Sequence, residues 1–255
     1  MTVVTSGLRQ AGSFVGFVVD VARAVPRRPF QARELVQQAW FVASVTIVPT
    51  ALVSIPFGAV IALQLGTLTR QLGAQSFTGA ASVLAVVREA SPLVTALLVA
   101  GAGGSAICAD LGSRKIREEI DAMEVLGINP VQRLVVPRVL ATMGVAALLN
   151  GLVSVVGVGG GYVFNVMVQG GTPGAYLASF TALAQTADLV TSEIKALVFG
   201  MIAALVAGYK GLTAGGGPKG VGDAVNQSVV ITFMFLFVVN FVISAVYFQV
   251  VPQKI

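Results

Sequence analysis

The sequence predicts an all-α integral membrane protein: an N-terminal interfacial helix, five transmembrane helices, and a short cytoplasmic helix between spans two and three. Three observations lead there. The 255 residues are 56% apolar and only 11% charged, with a mean hydropathy of +0.88. A soluble chain would carry about a quarter charged residues to clothe its core. Long charge-free runs recur, of the order of the ~20 residues that a helix needs to cross hydrocarbon. The Lys and Arg residues also fall unevenly between the two sides that those runs define.

Residues 1–38 read as an interfacial helix and a cytoplasmic lead-in rather than a secretory leader, because Asp20 and Arg23 break the apolar run. Phe14, Phe17, Val18, Val21 and Val25 recur at helical spacing, with Asp20, Arg23 and Arg27 off the stripe. That pattern suits a helix whose stripe lies in lipid.

The first span covers 40–65, in a stretch with no charge between Glu34 and Arg70. Pro49 and Pro56 should bend or unwind it, since each removes a backbone donor. The second covers 80–109, interrupted by Arg88, Glu89 and Pro92. Charges at bilayer depth cost about 2.5–3.5 kcal/mol each, so they face a cavity or a partner unless they mark the interface. Both readings stand, and adjacency lets Arg88 and Glu89 neutralise one another.

The third span covers 139–168, where Gly157 and Gly161 make a face suited to close helix contact. The Gly-, Ser- and Thr-rich segment 169–187 is too weak to cross and is read as an outer loop. The fourth, 194–209, is short, and Lys195 can snorkel at its outer end. The fifth covers 225–251. With the N-terminus cytoplasmic, the inner side holds twelve basic residues and the outer side four (Arg70, Arg88, Lys195 and Lys254), which fits the positive-inside rule. Five spans put the C-terminus outside, within a single membrane domain, 1–255.

Composition excludes several chemistries. With no histidine, the usual general base and commonest transition-metal ligand are missing. The single Cys108 permits neither an internal disulfide nor a paired-cysteine metal site. Basic residues flank apolar runs without interleaved aromatic residues, so nucleic acid is not the partner. GAGGSA at 101–106 lies inside an apolar span with no strand before it, and is read as close helix contact. GGGPKG at 215–220 lacks the Gly-Lys-Ser/Thr ending of a phosphate loop. The chain therefore carries no nucleotide site or catalytic set, and Asp188 and Glu193 read as solvated charges at the outer face.

The remaining charged stretch, SRKIREEIDAMEVLGINP at 113–130, sits between two apolar runs. Ser113 can cap a helix, Gly127 can end it, and Asn129-Pro130 can turn the chain. Ile116, Ile120 and Met123 share one face of that helix. Arg114–Glu118, Lys115–Glu119 and Arg117–Asp121 fall at i, i+4. Such a helix either docks on a soluble partner or lies solvated at the membrane surface.

Residues 88–138, including ICADLGSRKIREEIDAMEVLG, closely resemble the MlaE/YrbE family of ABC transporter permeases, most of all its actinobacterial, Mce-associated members. GYKGLTAGGGPKGVGDAVNQSVV at 208–230 is similar to the family's second signature, with Gly215, Gly216, Lys219, Gly220, Gly222 and Asp223. The two segments span about a third of the chain. The resemblance implies that 113–127 is a coupling helix, with Arg117, Glu118, Glu119, Asp121 and Glu124 contacting an ATPase. It also implies a non-catalytic subunit of the bacterial inner membrane, with ATP and Mg bound by a partner ATPase dimer. Further implied partners are a second, distinct YrbE-type permease, hexameric MCE-domain proteins forming an outer tube, and a lipid cargo such as a fatty acid, mycolic-type lipid or sterol. Arg88, Glu89 and Pro92 are then candidates for the lipid pathway. Many relatives carry an Arg where this chain has Ala102, so that residue's role does not carry over. The competing readings are an ion- or proton-coupled secondary transporter, with Arg88 and Glu89 as relay, and a non-transporting membrane scaffold.

Overall fold

The computed structural model describes residues 2–29, 31–74 and 77–251, and among these the only regular structure is helical. Lys254, counted above on the outer side, lies outside the described residues, as do Met1 and Phe30 of the N-terminal segment. The helices are α1 (Thr2–Ala24), α2 (Ala32–Gln71), α3 (Thr78–Ile116), α4 (Glu119–Val125), α5 (Val131–Met167), α6 (Pro173–Leu183), α7 (Thr186–Leu212) and α8 (Gly217–Val250). Five of them, α2, α3, α5, α7 and α8, are long and apolar enough to cross a membrane.

Every span is longer than its apolar run. A helix of 40 residues such as α2 is about 60 Å long, twice the hydrocarbon thickness, so its ends extend beyond the hydrocarbon or the helix tilts. It continues through Pro49 and Pro56 without the expected unwinding.

α2 and α5 meet backbone to backbone. The buried edge of α2 steps through Thr46, Thr50, Ser54, Gly58, Ala62 and Gly66 at every fourth residue. A Cβ on Gly58 would overlap the carbonyl of Gly157, and one on Gly161 would lie 3.3 Å from the carbonyl of Gly58. Small residues let two helices approach in lipid, where dispersion and not water exclusion holds them. The opposite edge of α2 exposes Val48, Leu52 and Val60, and α8 exposes Met234, Phe237 and Phe241. Both faces are apolar and uncovered in this chain.

The central core joins Val42, Ile107, Leu111, Leu149, Phe199 and Ala203. Cys108 is fully buried within it, as a small apolar residue. The GAGGSA stretch falls largely in a π-helical segment of α3, Val99–Gly104, with Gly103 against Val42 and Thr46 of α2.

Three expectations change. The apolar stripe of α1 does not lie in lipid: Phe17, Val18 and Val21 cover Val135, Val139 and Leu205 of α5 and α7. Periodicity locates a stripe, but the neighbour decides what it faces. The segment 169–187, expected as an outer loop, is not wholly a loop, because it contains α6, which packs on the start of α3 through Tyr176 and Ser179 near Gly79. Helix α7 begins eight residues before the predicted fourth span of 194–209.

Candidate functional site: paired charges in the bundle and a charged helix at its end

Arg88 and Glu89 lie in a π-helical turn of α3, Val86–Ala90. Pro92 stands four residues after Arg88 and has no N–H, so the Arg88 carbonyl lacks its α-helical donor. Lys195 of α7 supplies one: its Nζ donates to that carbonyl at 3.1 Å, to Glu89 Oε1 at 2.9 Å and to Ser244 Oγ of α8 at 2.8 Å. Lys195 is 1% exposed. It does not snorkel, because its three donors are met inside the bundle.

Arg88 points the other way. Its guanidinium meets Asp188 Oδ1 at 2.7 Å, lies 5.0 Å from the Tyr247 ring centroid and 5.4 Å from that of Phe248. The Tyr247 hydroxyl donates to the same carboxylate oxygen. Asp188 also closes the α7 N-terminus, accepting from the Gln185 N–H at 2.8 Å. It is 2% exposed, not solvated. Arg88 and Glu89 therefore do not neutralise each other; each pairs across to α7. Glu193 is half-buried and accepts from Asn150 Nδ2 of α5 at 3.0 Å, while Ser91 and Ser192 complete that side. Two crossed ion pairs thus join α3 to α7, with Ser244 and Tyr247 of α8 hydrogen-bonded to them, and each charge is balanced by its partner.

The other end of the bundle carries the charged stretch, and it is not one helix. α3 runs through Ile116, and Ser113 lies within it, its hydroxyl on the Asp110 carbonyl. Glu118 takes a left-handed backbone, φ 59°, and α4 begins afresh at Glu119. That break resets the phase, so none of the three i, i+4 pairs forms. Instead Lys115 meets Asp121, Arg117 meets Glu119 at 2.8 Å, and Arg114 meets Glu119 at 3.6 Å. Gly127, at φ 74°, ends the turn as predicted. Asn129 then caps α5, its Oδ1 accepting from the N–H groups of Val131 and Gln132. Ile120 is buried and Met123 packs beside it, whereas Ile116 turns outward.

A third ion pair, with its arginine buried, reaches inward from there. Arg138 of α5, 1% exposed, donates to Asp110 of α3 and to the Leu134 carbonyl at 2.6 Å, with Glu34 of α2 at 4.0 Å. Asp110 also accepts from Arg114 at 3.2 Å. Charged contacts thus run from Glu119 through Arg114, Asp110 and Arg138 to Glu34, linking α4 to three spans.

The profile of the family described as Permease MlaE matches residues 35–246. The chain belongs to the MlaE permease family. A Rickettsia felis protein named "Probable ABC transporter permease protein" is 31% identical over 242 residues, covering 95% of this chain and 93% of the relative. A Synechocystis protein of the same description is 36% identical over 192 residues, 75% of this chain and 73% of its own. Protein TRIGALACTOSYLDIACYLGLYCEROL 1 of Arabidopsis thaliana chloroplasts is 34% identical over 179 residues, 70% of this chain and 51% of that protein. An MlaE-family ABC permease works with an ATPase partner, which sets the ion-coupled secondary transporter aside.

In this MlaE permease the two signature segments meet. Gly211 approaches Leu111 and the Cys108 carbonyl, and a Cβ on Gly112 would lie 3.0 Å from Val221. Only Gly215 and Gly216 remain in a loop. Lys219, Gly220, Gly222 and Asp223 form the first turns of α8, where a Cβ on Gly220 would overlap the Gly215 carbonyl. Sequence reasoning missed Asp110, Arg138, Asn150, Ser244 and Tyr247 as site residues. The available signal was physical: a charge within an apolar span requires a buried partner, and every polar residue at similar depth is a candidate.

Proposed function

We propose that this chain is the permease subunit of an Mce-type ABC transporter that moves a lipid across a bacterial inner membrane, to or from an outer tube of hexameric MCE-domain proteins. Its N-terminus and α4 are cytoplasmic and its C-terminus is outside, as the distribution of Lys and Arg favours. A second, distinct YrbE-type permease completes the membrane core, and an ATPase dimer binds ATP and Mg below it. Lipid as cargo is supported by the name of the chloroplast relative, which is that of a diacylglycerol glycolipid. Arg88, Glu89 and Pro92 line the proposed lipid pathway. The half-exposed Glu89 would meet the polar headgroup, with Lys195 behind it keeping that meeting close to neutral.

The observation that carries this reading is the wiring of α4. Val125 and Leu126 are 89% and 75% exposed at its tip, beside an exposed Glu124. An apolar tip rimmed by acids fits a groove on a soluble subunit. Among the candidate acids, Glu119 and Asp121 are engaged in ion pairs, whereas Glu118 and Glu124 make none among the described residues. Glu118 and Glu124 are therefore the contacts with the ATPase, and Arg117 and Glu119 hold α4 in place for them. Displacing α4 pulls on α2, α3 and α5 together through Asp110 and Arg138.

The test is co-purification of the ATPase with the Glu118→Lys/Glu124→Lys variant, alongside lipid transfer by the reconstituted complex. Loss of the ATPase, or ATP hydrolysis without transfer, is expected. Full transfer with the ATPase still bound would overturn the coupling role.

A further inference from the structure

Two cavities adjoin where α1 crosses α7 and α8, at the α4 end of the bundle, and they share Gln10, Tyr209 and Lys210. The first, of about 200 Å³, is walled by Phe14, Val206, Ile231 and Phe235. Phe14 lies edge-on to Tyr209 at 5.3 Å and stacked with Phe235 at 6.1 Å, so the wall is built from side chains that hold one another. Phe235 is 42% exposed beside the exposed Met234, which opens this cavity toward the exposed apolar side of α8. The second, of about 370 Å³, is polar, lined by Thr213, Gly215, Asp223 and Gln227.

Lys210 stands at the seam. Its Nζ donates to Gln227 Oε1 at 3.0 Å, and the described residues give it no carboxylate partner. An ammonium has three donors, so a cation with a single neutral acceptor faces the cavity with capacity for an anion. Asp223, beyond it in the same polar cavity, makes no ion pair among the described residues either. An apolar slot open to the acyl chains, then a cation, then an acid is the order of groups along one glycerophospholipid: chain, phosphate, ammonium-bearing headgroup.

We infer that this seam binds a single phospholipid, its acyl chain along Phe14 and Phe235, its phosphate on Lys210 and its headgroup ammonium toward Asp223. The site is separate from the Glu89–Lys195 region, since fifteen residues of α7, about 22 Å, divide Lys195 from Lys210. The bound lipid fills the gap beneath α1 and fastens that helix to α7 and α8. An apolar half this close to the cation makes free phosphate an incomplete ligand. The inference does not depend on which cargo the transporter moves.

The test uses the complex in bilayers containing phosphatidylethanolamine with a photoreactive group on its acyl chain, with crosslinked residues mapped by mass spectrometry. Labelling is expected at Phe14 and Phe235. Lys210→Gln should lower it about tenfold, the shift of one charge-assisted hydrogen bond, and Lys210→Arg should largely retain it. Ala11→Trp, at an exposed position on the cavity rim, should block the slot without disturbing the core. Phosphatidylglycerol carrying the same group should label less, having no ammonium for Asp223. Labelling insensitive to both Lys210→Gln and Ala11→Trp would overturn the site. Loss with Ala11→Trp alone, or stronger labelling by phosphatidylglycerol, would overturn the headgroup assignment. If Lys210→Gln released the ATPase and left labelling unchanged, the polar cavity would be a subunit contact and the inference wrong.

Discussion

Lys195 donates to the backbone carbonyl of Arg88 at 3.1 Å, and Pro92, four residues further on, has no N–H to serve that carbonyl as an α-helical donor. The same buried lysine also holds Glu89, so the carbonyl and the carboxylate share one cation. The neighbouring arginine is left to pair with Asp188. Two charges adjacent in sequence end up serving two separate ion pairs.

Lys195→Met should cost roughly 3 kcal/mol, the low end for breaking a buried pair, because Glu89 keeps Ser244 and Asn240 as donors and is 38% exposed. Thermal unfolding in detergent reads this as a drop of about 6–12 °C for a chain of this size. Adding Glu89→Gln should recover most of the loss. A double variant as unstable as the sum of the singles would mean the two do not act as a unit.

Asp110→Ala should be worse than Arg138→Met. Removing the carboxylate leaves a buried guanidinium with the Leu134 carbonyl and a distant Glu34, a loss of about 3–5 kcal/mol. Removing the guanidinium leaves Asp110 with Arg114 still beside it. Chemical denaturation of the two variants gives the order, and the reverse order would refute the assigned partners.

Gly58→Ala drives a methyl into the Gly157 carbonyl and should separate α2 from α5 at a cost of about 1–3 kcal/mol. Gly144→Ala meets nothing within 4 Å and serves as the control in the same unfolding series. Equal stability of the two variants would show that the helices can part without strain.

Glu118 holds a left-handed backbone that costs an L-residue roughly 1–2 kcal/mol, so Glu118→Gly should stabilise the junction between α3 and α4 by about that much. Hydrogen exchange across residues 114–126 should slow. The same variant should bind the ATPase more weakly if the carboxylate is a contact, separating the backbone role from the side-chain role.

Much of the architecture was legible in the chain itself. A 30 Å hydrocarbon layer demands long, charge-poor helices, so five apolar runs announced five spans, and Gly157 and Gly161 announced a close helix contact. Gly127 marked the end of α4, and Asn129-Pro130 a turn of the chain, because their roles are local. The partners of buried charges were not legible. Arg88 and Asp188 are a hundred residues apart, as nearly are Glu89 and Lys195, and no periodicity links such positions. The break at Glu118 was equally hidden, since a left-handed glutamate carries no compositional mark, and it alone redirected every ion pair of the charged stretch. Sequence determined which segments must leave water and where the chain must turn, because those are short-range free energies. Only tertiary structure decided which charges meet, because at bilayer depth a charge is stable only beside the partner that folding brings to it.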